Sequence, residues 1–99
     1  MAKASRSKGV RGEAEVRALY AQAGLTVRGL EDSGDHLVLG GRRLVHSECK
    51  RQEVARPWLW WEQAESETEA SAMTVVPFRR NRSPWLAIVR LDDLAELLR

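Results

Sequence analysis

In the stretch DHLVLGGRRLVHSECK, residues 35–50, three charged side chains stand where core strands ordinarily carry apolar ones: Asp35 at its start, Glu48 and Lys50 near its end. The stretch reads as two short apolar strands, about 35–39 and 43–51, around a turn at Gly40 and Gly41. Strand side chains alternate faces, so Leu44, His46, Glu48 and Lys50 share one face, and Val45, Ser47 and Cys49 the other. The start of one hairpin strand lies beside the end of its partner, which brings Asp35 to Glu48 and Lys50. Two carboxylates held together repel, and their burial is costly unless a cation neutralises them. A hard divalent ion such as Mg²⁺ meets that need, because it prefers oxygen ligands and retains waters for chemistry. The backbone carbonyl of Cys49 is a further candidate ligand.

A third carboxylate comes from helical periodicity. In GEAEVRALYAQAG, residues 12–24, Val16, Leu19, Tyr20 and Ala23 recur at helical spacing, and Gly24 is a natural stop. Glu13 precedes Val16 and Tyr20 by three and seven residues and so projects from the packed stripe, whereas Glu15 should face solvent. Each residue alone has a plainer reading. Glu48 and Lys50 could be an exposed edge pair, Asp35 a turn residue, and Glu13 a first-turn acid favoured by the helix dipole. Their conjunction is far more specific. His36 and His46 read as structural histidines and Cys49 as a small core residue.

Positioning these groups falls to one domain spanning all 99 residues. Residues 1–8, MAKASRSK, read as a flexible basic arm. After the first helix come a strand at LTVRGL, the hairpin, a helix over about 58–70 opened by Pro57, strands at MTVVPFRR and WLAIVRL, and a closing helix at DDLAELLR. This order implies an α/β fold, a central mixed sheet of about five strands flanked by helices. A hydrophobic fraction of 43% with 30% charged residues and four Trp describes a folded chain. No run approaches the roughly 18 apolar residues of a membrane span, and no signal segment opens the chain. A cytoplasmic protein, bacterial or from a phage-infected cell, is the expectation. The single Cys excludes an internal disulfide and a Cys-based zinc site. The Trp residues are expected mainly in the core or at an interface.

These motifs resemble those of the PD-(D/E)-x-K nuclease superfamily, above all the archaeal-type Holliday junction resolvases and similar small phage nucleases. KGVRGEAEVRALYAQAGLTVRG is similar to the family's opening helix with its first Glu, here Glu13. SGD supplies the metal-binding Asp35, and SECK the E-x-K strand with Glu48 and Lys50. PWLWWEQAESE and FRRNRSPWLAIVRLDDL look like the phage-type members, while Gly34 stands where the family usually has Pro. The resemblance implies a restriction-endonuclease-like fold and a metal-dependent endonuclease acting on four-way DNA junctions. Glu13, Asp35, Glu48 and Lys50 would be catalytic. Glu13, Asp35, Glu48 and the Cys49 carbonyl would hold Mg²⁺, with Mn²⁺ able to substitute.

A junction nuclease reads shape, so its contacts should fall on phosphates. Lys3, Arg6, Lys8 and Arg11 form one candidate set, Arg79, Arg80, Asn81 and Arg82 another, with Ser33 on the loop before Asp35. Paired cuts on a junction imply a homodimer. The rival readings are a nuclease of the same fold acting on other DNA, and a DNA-binding module without catalysis.

Overall fold

The computed structural model describes the backbone of residues 2–30 and 35–99, with side chains described from Gly9 onward in those segments. Helix α1 spans Ala2–Gln22 and so starts well before the expected Gly12, running back through the segment read as an arm. The helix can pass Gly12 close to the sheet because that residue has no side chain. A Cβ there would lie 3.2 Å from Arg51 Cβ and 3.4 Å from the Trp85 ring.

Strands β1 (Thr26–Gly29), β2 (His36–Leu39) and β3 (Val45–Ser47) form an antiparallel meander, with Gly40 taking a positive φ of 96° in the second turn. After β4 (Lys50–Arg51), helix α2 (Pro57–Glu67) crosses over and returns the chain as β5 (Met73–Arg79), parallel to both β3 and β4. Strand β6 (Leu86–Ile88) pairs antiparallel with β5, and α3 (Leu91–Leu98) ends the chain. The result is the expected mixed sheet in five lanes built from six strands, because β3 and β4 lie in line along one edge of β5.

The sequence predicted one strand over 43–51; the structure interrupts it at Glu48 and Cys49, and a residue on another strand explains why. Along this ladder the Glu48 N–H donates to Val75 O at 3.0 Å, and the Glu48 carbonyl would next accept from residue 77. Residue 77 is Pro and has no N–H. Pro77→Ala restores that donor. The backbone amide gained at position 77 should show slow hydrogen exchange, and free exchange there would refute this account of the break.

The two sheet faces have different covers. Trp60 and Ala64 of α2, 2% and 0% exposed, meet Val76 at 0%, with Trp61, Phe78 and Ile88 around them. Trp60 lies tilted on Phe78 at 5.7 Å between centroids. Burying an apolar side chain such as Val76 contributes about 1.5–3 kcal/mol, so this small cluster anchors α2 to β5. On the other face α1 delivers Val16, 3% exposed, and Tyr20, whose hydroxyl hydrogen-bonds Ser47 Oγ at 3.0 Å. Leu19, expected in that stripe, is 48% exposed. Trp58 on α2 is likewise exposed, so the four Trp divide between core and surface.

Candidate active site

Strand register brings the two acids together. His36 faces Ser47 across β2 and β3, so Asp35, one residue before β2, stands opposite Glu48, one residue after β3. Both are buried. Lys50 Nζ lies 3.4 Å from Glu48 Oε1 and donates to Gln63 Oε1 at 3.0 Å. Side-chain alternation thus puts Asp35, His46, Glu48 and Lys50 on the α2 side of the sheet, where Gln63 reaches them.

Asp35 is the electrostatic centre of this group. Burial pushes its carboxyl up to about 6. The hydrogen bond from His46 opposes that rise, while Glu67 and the charge of Glu48 add to it. His46 Nε2 lies 2.9 Å from Asp35 Oδ2, both side chains 4% exposed. One ligand atom from each of Asp35, His46 and Glu67 falls within 4.8 Å of the others, close enough to surround a cation. Glu48 Oε2 is buried with no hydrogen-bond partner among the described residues. A buried carboxylate oxygen left without a donor, beside a convergent set of oxygen and nitrogen atoms, is what a divalent ion would satisfy.

Glu13 is placed differently. Burial raises its pKa, Arg17 opposes the rise, and its charge is felt at Cys49. The Cys49 thiol is pushed up to about 12, first by burial and then by Glu13 and Glu15. Burial and the neighbouring acids thus favour its neutral thiol. The alternation of the ladder turns the Cys49 peptide away from β5, toward the end of β2 where Asp35 lies. Glu15, expected to face solvent, instead accepts from Trp85 Nε1 at 2.9 Å and pairs with Arg79 at 3.2 Å. The reason is that α1 packs where β5 and β6 present those two donors.

Of the candidate DNA-contacting residues, Arg11, Arg80 and Arg82 are exposed and Arg79 is half-buried. Arg82 has a positive φ of 62° in the turn that Ser83 closes onto Arg80 O. Ser33 and the side chains of Lys3, Arg6 and Lys8 lie outside the described residues.

Two site residues were underweighted or missed by sequence reasoning. His46 was read as structural, and it is the direct partner of Asp35. Glu67 was not singled out. The signal for it was present in the spacing of Trp60, Gln63, Ala64 and Glu67, which is that of one helical face, with Trp60 and Ala64 buried and Gln63 and Glu67 at its exposed margin.

An antiparallel meander joined through a crossover helix to a parallel strand, with buried acids at the split between β3 and β4, is a restriction-endonuclease-like fold. A solved structure that shares it is the Holliday junction resolvase Hjc of Archaeoglobus fulgidus, an archaeal hyperthermophile. The two match with a TM-score of 0.67 and 19% sequence identity, over 83% of this chain and 72% of that one. At this identity the likeness is one of fold. No family profile matches the sequence, and no curated protein matches it. Among the described residues, no helix is long and apolar enough to cross a membrane.

Proposed function

We propose that this chain is a metal-dependent, structure-selective DNA endonuclease that hydrolyses phosphodiester bonds at four-way junctions. The observation that carries the reading is the buried convergence of Asp35 and Glu48 beside the Lys50 ammonium, in a fold shared with a junction resolvase. Asp35, Glu48, His46 and Glu67 are the side chains suited to hold Mg²⁺ or Mn²⁺, with the Cys49 carbonyl facing the same place and Glu13 joining directly or through a water. The chemistry such an ion supplies is activation of a water and neutralisation of charge on the phosphodiester.

The chain's own groups do the rest. Gln63 and Glu48 hold the Lys50 ammonium in one place, where it orients the attacking water or stabilises negative charge on the pentacovalent phosphorus. His46 fixes the Asp35 carboxylate through a single hydrogen bond. Exposed Arg11, Arg80 and Arg82, with Arg79, Lys3, Arg6, Lys8 and Ser33, take backbone phosphates. A homodimer supplies the second active site, and the exposed Leu91, Leu94 and Leu98 of α3 offer it apolar surface.

The test is incubation with a synthetic four-way junction and with linear duplex, each with Mg²⁺ and with EDTA. Paired symmetric nicks on the junction alone, abolished by EDTA, are the expected result. Cutting of both substrates would make it a general nuclease, and binding without cutting a DNA-binding module.

A second expectation concerns the ion. An imidazole nitrogen suits Mn²⁺ better than Mg²⁺, which strongly favours oxygen ligands. Mn²⁺ should therefore restore cleavage to the EDTA-treated protein at a lower concentration than Mg²⁺, as read from titration of initial rates. Equal requirement for the two ions would remove His46 from the ligand set.

A further inference from the structure

Two basic stretches far apart in sequence, one ending at Arg11 and one running from Arg79 to Arg82, meet at a single hollow, and a third arginine joins them. Arg11, Arg51 and Arg79, with Glu15 and Asn81, line a space of about 230 Å³. It lies on the opposite sheet face from Lys50. Consecutive strand residues point to opposite faces, and Arg51 Cβ packs under Gly12 of α1.

Two of the three arginines, Arg51 and Arg79, are held in place. The Arg51 side chain is 8% exposed, its Nη1 donating to Glu53 Oε2 at 3.1 Å and its Nη2 to Asn81 Oδ1 at 2.7 Å. Glu53 Oε2 also accepts the Asn81 backbone N–H at 2.8 Å, which ties β4 to the turn after β5. Arg79 is fixed by Glu15 and by the face of Trp85, 5.7 Å from its guanidinium carbon. Its Nε is buried with no acceptor among the described residues. Three arginines line the hollow against one lining carboxylate, Glu15, with Glu53 paired to Arg51 outside it, leaving an excess of positive charge among the described residues and a donor, Arg79 Nε, with no acceptor among them. A tetrahedral oxyanion would complete the set, because guanidinium forks match phosphate oxygens in geometry and charge.

We propose that this hollow binds a phosphate group, specifically a backbone phosphate of the nucleic acid, on the far side of the sheet from Lys50. The choice of nucleic acid as the source rests on the nuclease reading above; the phosphate chemistry does not. Arg51 becomes a binding residue beside the Asn81 already read as a phosphate contact, and the strand would pass around the end of the sheet with a phosphate near each of its faces.

The experiment compares the parent with Asn81→Asp, which keeps an acceptor for Arg51 but adds a negative charge, and with Arg51→Gln. Arg28→Gln, exposed on β1, controls for loss of one unit of charge. Folding of each is checked by circular dichroism. Affinity for a labelled four-way junction is measured in EDTA across salt concentrations, and melting temperature with and without inorganic phosphate. Asn81→Asp and Arg51→Gln should each weaken junction binding about tenfold and flatten the salt slope by about one, with Arg28→Gln near the parent. Unchanged junction binding with a phosphate-induced melting shift lost in both variants would overturn the nucleic-acid assignment and leave a site for free phosphate. Neither effect, or an equal loss in Arg28→Gln, would overturn the inference. A parent that binds but never cleaves, with both variants still weakened, would sink the nuclease reading and keep this site.

Discussion

Lys50→Ala and Asp35→Asn should each lower junction cleavage by about 10³-fold, the scale of losing a placed electrostatic group at a reacting centre. Junction binding in EDTA should stay near that of the parent, since neither side chain is needed to grip phosphates at a distance. The two variants should differ sharply in stability. Asp35 is 3% exposed and faces Glu48, and burial lifts its carboxyl from 3.8 to about 6. A carboxyl raised on folding holds its proton more tightly in the folded chain. Its contribution is therefore favourable at pH below the unfolded value and is lost as pH rises through about 6. At pH 8 without metal the parent bears that cost and Asp35→Asn does not, so the variant should be more stable by about 1–2 kcal/mol. At pH 4 the gain should vanish. Thermal melts at both pH values with EDTA check the sign, and a variant less stable than the parent at pH 8 would show that no charge strain exists. Retained turnover in either variant would remove that residue from the site.

The Asp35 and Glu48 pairing was legible because it follows from hairpin geometry alone: the Gly40 turn fixes the register, and register fixes which acids face each other. The interruption of the E-x-K strand was not legible. It depends on Pro77, whose missing donor matters only once β5 is known to lie beside Glu48. Glu15 was misread for a related reason. Its spacing puts it beside the packed stripe, and only the tertiary placement of Arg79 and Trp85 turns that flank into a bonded one. Helix α1 runs through Gly9 and Gly12, which are poor helix residues by propensity. At Gly12 the contact with Arg51 and Trp85 overrides propensity, and a local reading of the sequence contains neither partner. Asp35, Glu48 and Lys50 were thus readable from the strand period, whereas His46 and Glu67 required knowing that α2 lies over the same face.

The His46 hydrogen bond gives the second large effect. His46→Leu keeps an apolar side chain of similar bulk but removes the buried partner of Asp35, with both side chains 4% exposed. Removing a buried hydrogen-bond partner costs about 1–3 kcal/mol, because the group it served loses that bond without regaining water. Glu48 and Glu67 both push the Asp35 carboxyl toward its protonated form, so they add to the cost of its charge. At pH 8 in EDTA the expected loss is about 2 kcal/mol, or roughly 8–16 °C in melting temperature for a domain of this size. Near pH 5 a carboxyl that titrates at about 6 is mostly protonated, so the penalty should shrink by more than half. Saturating Mn²⁺ at pH 8 should recover less stability in His46→Leu than in the parent, because the cluster has lost one of its three ligand atoms. A stability difference independent of pH would mean that His46 acts by packing alone, and the Asp35, His46 and Glu67 cluster would lose its electrostatic basis.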